Sequence, residues 1–315
     1  MQLLVRSRAV EAEDIASLEL VSPSGEPLPP FAAGAHVDLH LGNGWIRSYS
    51  LVNDSAERGR YVVAVQKDPA SRGGSRWVHE HLRPGSLVEV GAPCNNFALV
   101  ENASLVVFFA GGIGITPLWC MLQRLEALGR PWKLVYAVRH RRKAAYLAQV
   151  EALAAREPGR VQIHVDQEQG NRPLDLASAV AQAPAGAHLY CCGPAPMLRA
   201  FEQAAASRPP AQVHFEYFSA AQEAAVAGGF EVKLARSRRS LRVVPGKSIL
   251  HTLLDGGIDV SHACHEGVCG ACQTPVLEGE PDHRDSYLSP QERKSGKTIL
   301  LCCSGSKSDV LVLDL

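Results

Sequence analysis

Four cysteines near the end of the sequence have a spacing that is typical of an iron–sulfur site. Cys264, Cys269 and Cys272 are separated by four and then two residues, and Cys302 follows after a further twenty-nine. In the plant-type arrangement, four thiolates at this spacing hold a [2Fe–2S] cluster. The sequence therefore predicts a site that accepts and releases single electrons.

The loop that carries these cysteines also contains the small residues Gly267, Gly270 and Ala271. Small residues let the backbone curl tightly, so that its N–H groups can point at the sulfurs and stabilise their negative charge. The alternatives are a zinc site or a pair of disulfides, although zinc sites more often use two Cys-x-x-Cys pairs and this chain has one. Cys303 adjoins Cys302, and spacing does not exclude it as the fourth ligand.

A glycine-rich turn, Gly111-Gly-Ile-Gly-Ile-Thr-Pro117, lies between a predicted buried strand (residues 105–110) and a predicted helix (residues 118–128). Glycines there let the backbone approach a phosphate or a ribose, and the start of a helix offers N–H groups and a positive dipole end. The turn is not the G-x-G-x-x-G fingerprint. The alternative is a tight strand-to-helix turn that binds nothing.

A second strand end of the same kind is found at Tyr190-Cys-Cys-Gly-Pro-Ala-Pro-Met197. Ligands gather at the carboxyl ends of strands in open parallel sheets, so the two turns can share one dinucleotide. Cys192 can lie over a nicotinamide ring or can simply pack in the core. Core packing is the better interpretation of Cys191, and a disulfide between these adjacent cysteines is not expected.

Two further motifs lie in the first hundred residues. Arg47 and Tyr49 share one face of a predicted strand, with the Ser50 hydroxyl beside them, so they can hold a phosphate and flank a planar ring. The segment Arg72-Gly-Gly-Ser75 adds backbone donors before a predicted helix. A surface arginine and a core tyrosine are the alternative interpretation.

The elements that position these motifs fall into three segments. Short β-prone segments separated by turns fill residues 1–102 and predict an antiparallel barrel. Strands alternate with helical stretches over residues 103–218, which indicates a parallel sheet covered by helices. Residues 219–229 are predicted to be a linker, with a short helix as the alternative. Residues 230–315 begin with two strands, carry the cysteine loop and close with a strand.

Composition excludes several other classes of function. The 315 residues include 32 basic and 32 acidic side chains, so nothing favours nucleic acid or an anionic membrane as a partner. No signal peptide or membrane-spanning run is visible, and nine cysteines without an export signal favour the reducing cytoplasm. Motifs of nucleophilic catalysis are absent from the sequence.

These motifs occur together in one known family. They are, in chain order, Arg47-Ser-Tyr-Ser-Leu51, Arg72-Gly-Gly-Ser75, Gly111-Gly-Ile-Gly-Ile-Thr-Pro117, Cys192-Gly-Pro194, His214-Phe-Glu-Tyr-Phe218 and the cysteine pattern. Over essentially its whole length the chain resembles the phthalate dioxygenase reductase and vanillate O-demethylase reductase family. The resemblance implies a multidomain α/β and β protein with an FMN-binding antiparallel β-barrel, a NAD-binding domain with a doubly wound parallel sheet, and a C-terminal β-grasp ferredoxin domain.

The resemblance also implies three sets of site residues. FMN would be held by Arg47, Tyr49, Ser50, Arg72, Gly73, Gly74 and Ser75, with Thr116 and Phe218 near the flavin. NADH would contact Gly112, Gly114, Asp166, Cys192, Gly193, Pro194 and Met197, and Thr116, Cys192 and Phe218 would lie near the hydride-transfer site. The cluster would be ligated by Cys264, Cys269, Cys272 and Cys302. No residue is assigned a catalytic role, because the cofactors carry the chemistry.

Nucleotide specificity depends on the residues that follow the predicted strand at residues 161–165. These are Asp166-Gln-Glu168, where NADP-dependent relatives place Ser-Arg. A carboxylate repels a 2′-phosphate and can accept a ribose hydroxyl, so NADH is expected. Arg139, Arg141 and Arg142 could reverse this preference.

The function implied is that of a monomeric NADH-dependent reductase in aromatic catabolism. Electrons would pass from NADH to FMN, then to the [2Fe–2S] cluster, and then to the Rieske cluster of a separate oxygenase or O-demethylase. One alternative is the same chemistry feeding a cytochrome P450 or another acceptor. A second alternative is a non-enzymatic redox sensor.

Overall fold

The computed structural model describes residues 1–42, 44–69, 73–219 and 222–315. These residues form two compact units, Met1–Glu216 and Tyr217–Leu315. The predicted boundaries at residues 102, 218 and 229 stay predictions. Residues 222–229 contain neither helix nor strand, so the described part of the predicted linker is not helical.

The first unit begins with a closed antiparallel sheet. Its strands are β1 (Gln2–Ala12), β2 (Ile15–Val21), β3 (His36–His40), β4 (Ile46–Ser50), β5 (Tyr61–Gln66) and β6 (Leu87–Val90), in the order β4-β3-β6-β1-β2-β5. Helix α1 (Gly74–His81) lies between β5 and β6. The sheet closes where Leu51, directly after β4, pairs with Val63 of β5. The predicted antiparallel barrel is confirmed.

The second sheet of this unit is parallel throughout. Its strands are β7 (Val106–Gly111), β8 (Trp132–Val138), β9 (Val161–Val165), β10 (His188–Cys192) and β11 (Val213–Glu216). Every residue of β7 is buried, as expected for a strand covered on both faces. Between the strands run helices α2 (Ile115–Ala127), α3 (Leu147–Arg156), α4 (Leu176–Ala181) and α5 (Ala195–Ala204).

The order of these strands is β11-β10-β7-β8-β9. The chain therefore starts at the centre, builds outward through β8 and β9, and then crosses back to β10. The topological switch point lies between β7 and β10, and both glycine-containing turns follow these two strands. Ligands of doubly wound sheets bind at this point.

The second unit has a mixed sheet with one main helix. Its strands are β12 (Phe230–Leu234), β13 (Arg239–Val243), β14 (Gln273–Glu278), β15 (Pro281–Asp282), β16 (Thr298–Leu300), β17 (Gly305–Ser306) and β18 (Val310–Leu313). Five of them form a sheet in the order β13-β12-β18-β14-β16, with β12 and β18 parallel. Helix α6 (Ile249–Asp255) begins after Ser248, which caps it by accepting from the His251 N–H, and α7 (Pro290–Ser295) precedes β16. This arrangement agrees with the predicted β-grasp fold.

Candidate functional site

The four cysteines predicted as cluster ligands converge in the second unit. The Cys264 thiol is within hydrogen-bonding reach of the Cys269 and Cys302 thiols, and Cys302 also reaches Cys272. Cys264, Cys272 and Cys302 are buried, whereas Cys269 is partly exposed. The geometry therefore fits a cluster held at the edge of the unit by four sulfurs.

Backbone N–H groups point at these sulfurs. The Glu266 N–H donates to Cys264 Sγ at 3.3 Å, and the backbone of Val268 also donates to Cys264. Ala271 donates to Cys269 in the same way. Such hydrogen bonds stabilise the negative charge of the thiolates and tune the reduction potential of a bound cluster. Backbone N–H groups directed at the sulfurs were expected from the small residues of the loop.

At two positions of the loop, Gly267 and Gly270, there is no room for a side chain. Both have positive φ, 70° at Gly267 and 80° at Gly270. A Cβ on Gly270 would overlap the ring of Tyr287, and a Cβ on Gly267 would overlap the sulfur of Cys303. A side chain at either position would therefore push the loop away from its support.

Cys303 occupies a different place from Cys302. Its sulfur packs against Gly267 and lies 3.8 Å from Ser304 Oγ and 4.0 Å from the Leu300 carbonyl oxygen. The geometry thus favours Cys302 as the fourth ligand, although the Cys302 and Cys303 sulfurs also lie within hydrogen-bonding reach of one another.

Within the described ranges, no three His, Cys, Asp or Glu side chains converge on a position for a single metal ion. In a binuclear [2Fe–2S] cluster, each iron takes only two protein ligands. All nine cysteines are free thiols, so the alternative of two disulfides is wrong.

In the barrel, Arg47 lies beside the start of α1. A Cβ on Gly74 would stand 2.6 Å from Arg47 Nε, so the guanidinium and the first turn of the helix are in contact. The N-cap residue Gly73 supplies no side-chain cap. A cation next to an uncapped helix start is a suitable seat for a phosphate group.

The other predicted flavin contacts lie around this seat. Tyr49 pairs with Val37 across the β3–β4 ladder, and burial raises the pKa of its hydroxyl. Ser50 is buried, and Ser75 Oγ accepts a hydrogen bond from the Asp68 N–H at 3.2 Å. Arg72 lies outside the described residues.

The two glycine turns interlock at the switch point. A Cβ on Gly114 would overlap the Cys192 carbonyl oxygen, and a Cβ on Gly111 would stand 2.8 Å from Pro194 Cδ and overlap the Met197 sulfur. Gly114, Cys192, Pro194 and Met197, four of the residues predicted to contact the dinucleotide, are thus brought together, with Gly112 and Gly193 in the same turns. Thr116 is buried at the start of α2, where its hydroxyl donates to the Ile113 carbonyl at 2.9 Å.

Phe218 belongs to the second unit and is 37% exposed. Its place near the flavin stays a prediction.

One buried carboxyl group at this edge was missed by sequence analysis. Glu216 ends β11 and pairs in register with Cys192, which is fully buried. Burial raises the pKa of Glu216 to about 8, and its Oε2 has no hydrogen-bond partner among the described residues. Burial, and then the charge of Glu216, raise the pKa of the Cys192 thiol. A glutamate in a short strand is usually exposed, so no local sequence pattern indicates this pair.

Replacing Glu216 by glutamine should remove a titration near pH 8. The folded protein keeps this proton up to about pH 8, whereas the unfolded chain releases it near 4.5. The free energy of unfolding should therefore fall as pH rises between these values in the wild type, and fall less in E216Q.

Infrared titration measures this directly, as a protonated-carboxyl band that disappears with a midpoint near pH 8 in the wild type. The matched control is E101Q, because Arg124 lowers the pKa of Glu101 and its loss should leave the band intact. A band that persists in E216Q would contradict the assignment.

Asp166 follows β9 at the same edge of the sheet. Its Oδ1 lies 3.3 Å from His164 Nε2, and its backbone carbonyl accepts from the Asn171 N–H at 2.7 Å. Arg141, one of the three arginines noted in the sequence, forms ion pairs with Glu168 and Glu151 here.

Two protein families match parts of the chain. Residues 108–203 match the oxidoreductase NAD-binding domain, and residues 232–306 match the 2Fe-2S iron-sulfur cluster binding domain. The second match covers the cysteine loop and Cys302, so the zinc alternative is set aside. Among the described residues, no helix has the length and apolar character needed to cross a bilayer.

Similar proteins cover the whole chain. Phenoxybenzoate dioxygenase subunit beta of Ectopseudomonas oleovorans is 52% identical over 316 residues, covering 100% of this chain and 97% of the relative. A solved structure of phthalate dioxygenase reductase, with electron transfer from pyridine nucleotides to [2Fe–2S], is 39% identical with a TM-score of 0.78, covering 100% and 98%. An intact type IV self-sufficient cytochrome P450 monooxygenase is 38% identical with a TM-score of 0.85, and this chain spans 41% of its length.

Proposed function

Because the chain belongs to the phthalate dioxygenase reductase family, with FMN, NADH and a [2Fe–2S] cluster as its cofactors, we propose that it delivers single electrons from NADH to an oxygenase component. It is an NADH-dependent iron–sulfur oxidoreductase, which leaves the redox-sensor alternative without an observation in its favour. The observation that supports the proposal most strongly is that one chain contains both sites: the sheet edge where the turns after β7 and β10 are in contact, and the four cysteines whose thiols converge.

The bound cofactors would supply the chemistry, which is hydride transfer from NADH to the flavin and single-electron transfer from the flavin to the cluster. The protein supplies positions and charges. Arg47 and the start of α1 would hold the flavin phosphate, and Tyr49 would flank the flavin ring. Gly112, Gly114 and the turn after Cys192 would admit the nucleotide, and Cys264, Cys269, Cys272 and Cys302 would hold the cluster. Thr116 and Phe218 would complete the hydride-transfer site.

The acceptor we propose is the Rieske cluster of a separate aromatic-ring oxygenase or O-demethylase. The relative with 52% identity is a dioxygenase subunit, which supports this class of acceptor. A cytochrome P450 is the second candidate, favoured by the likeness to 41% of the length of the self-sufficient cytochrome P450 monooxygenase. We also propose that the enzyme is a monomer of the cytoplasm, where the five cysteines outside the cluster site would stay reduced.

Reconstitution distinguishes the two acceptors. The purified chain would be mixed with a Rieske oxygenase or with a cytochrome P450, and product formed per NADH consumed would be measured. Coupled turnover with the Rieske oxygenase supports the proposal. Coupled turnover with the P450 alone would favour the second candidate.

The proposed ribose contact of Asp166 predicts a change of nucleotide preference. In the double variant Asp166→Ser with Gln167→Arg, a cation replaces the negative charge that would face the 2′-phosphate. We expect the NADPH-to-NADH ratio of kcat/KM to rise by about 10- to 100-fold, the size of a charge-assisted hydrogen bond. An unchanged ratio would place the ribose elsewhere.

A further inference from the structure

Two turns of opposite charge follow neighbouring strands at the nucleotide edge. The basic turn, residues 139–143, follows β8, and the acidic turn, Asp166–Gln169, follows β9. Since β8 and β9 are parallel neighbours, both turns lie at the carboxyl edge of the sheet. They are joined directly, because the Gln167 N–H donates to the Arg139 carbonyl oxygen at 3.2 Å.

The guanidinium of Arg141 is occupied by carboxylates of two elements. Its Nε and Nη2 donate to the two oxygens of Glu168 at 2.6 and 3.2 Å, and its Nη1 donates to Glu151 of α3 at 2.5 Å. These side chains are about half exposed, so the pairs add little to stability. The ion pairs matter instead for phosphate binding, because the planar guanidinium of Arg141 is the group best suited to bind a phosphate through two hydrogen bonds.

We propose that Glu168 is a specificity-determining residue, which makes the enzyme select NADH by occupying the arginine that would otherwise bind a 2′-phosphate. The Arg141 guanidinium is paired with two carboxylates, so this ion-paired group of Arg141, Glu151 and Glu168 carries a formal charge of −1. A 2′-phosphate that approaches Arg141 meets these two carboxylates, and the Nε–Nη2 donor pair that would bind it is already taken by Glu168. The inference rests on the proposed NADH site and deepens it.

The next arginine of the same turn provides a matched control. Arg142 Nε lies 2.8 Å from Glu13 Oε2, in the turn between β1 and β2 of the barrel. Glu13→Gln therefore releases an arginine of the basic turn with the same change of charge as Glu168→Gln. Arg142 is directed toward the barrel and away from the acidic turn.

The test compares E168Q, E13Q and the double variant E168Q/R141A as full-length holoenzymes. Calorimetry gives the dissociation constants of adenosine 2′,5′-bisphosphate and of AMP, which lacks the 2′-phosphate. In E168Q the bisphosphate should bind about tenfold more tightly relative to AMP, as one exposed charge-assisted hydrogen bond allows. The NADPH-to-NADH ratio of kcat/KM should rise in parallel, and E13Q should change neither quantity.

The double variant decides whether Arg141 is responsible. The gain should disappear in E168Q/R141A, because the released guanidinium is absent. A gain that survives in E168Q/R141A, an equal gain in E13Q, or no gain in E168Q would overturn the proposal. Oxidation of NADH by the wild type in the same assay reports on the proposed function separately, so the two can fail independently.

Discussion

Replacing Cys302 by alanine should remove the [2Fe–2S] cluster while NADH still bleaches the flavin. Cys302 is the thiol that reaches both Cys264 and Cys272, so its loss leaves the binuclear site with three sulfurs. NADH-dependent reduction of cytochrome c should fall by more than about 100-fold, because the single-electron exit is gone. Visible and paramagnetic resonance spectra, together with iron and labile-sulfide content, measure the loss of the cluster.

Cys303→Ala is the matched control for this substitution. The Cys303 sulfur packs against Gly267, so its removal leaves a small cavity beside the loop and keeps all four proposed ligands. We expect the cluster and its activity to survive in this variant. The opposite pair of results, an intact cluster in Cys302→Ala and a lost one in Cys303→Ala, would make Cys303 the ligand.

Replacing Gly114 by alanine should have the largest effect at the nucleotide edge. Gly114 has φ −63° and ψ −5°, a backbone conformation that any residue adopts. Glycine is required there because the neighbouring turn leaves no room for a side chain. The added Cβ would overlap the carbonyl oxygen of Cys192, and a backbone atom cannot swing aside as a flexible side chain can. A displacement of about 1 Å between the two turns costs on the order of 100-fold in the rate of hydride transfer.

Gly186→Ala provides the contrasting control in the same unit. Gly186 lies just before β10, at the end of that strand opposite to Cys192, and a Cβ there would come no closer than 4.0 Å to the nearest atom, Ser104 Oγ. Stopped-flow bleaching of the flavin by NADH measures both variants, and the cluster spectrum reports that the second unit is folded. A Gly186 variant as slow as the Gly114 variant would show that the close approach of the two turns is not the cause.

Much of the fold follows from local sequence patterns. The predicted strand at residues 161–165 has the bounds found in the structure, and the predicted strand at residues 105–110 is shifted by one residue relative to β7. In β6, for example, Val88 and Val90 are buried and Leu87 and Glu89 are exposed, which is the two-residue alternation of a half-buried strand. The buried run of β7 and the glycines after it likewise predicted a parallel strand that ends at a binding edge.

The second unit was predicted less completely. Strand β14 contains Pro275 and β16 has three residues, so neither has a strong β pattern. They are defined by pairing, because β14 pairs with both β16 and β18. Helix α7 was missed although its signal is present. Ser289 and Glu292 form a capping box, in which each side chain accepts from the backbone of the other.

The site was predicted as residue types at strand ends, and its contacts were not. Glu168 and Glu216 look like ordinary exposed glutamates in the sequence. Glu168 pairs with Arg141, twenty-seven positions earlier, and Glu216 lies in register with Cys192. Both relations arise when parallel strands bring distant turns to one edge, which no local pattern contains.

The most direct test of the whole account is an anaerobic titration of the purified wild-type protein with NADH, after determination of its flavin, iron and labile sulfide. We expect about two irons and two sulfides per flavin, and a paramagnetic signal of a reduced cluster as NADH is added. Flavin that is bleached by NADH in a protein without iron, sulfide or such a signal would contradict the account.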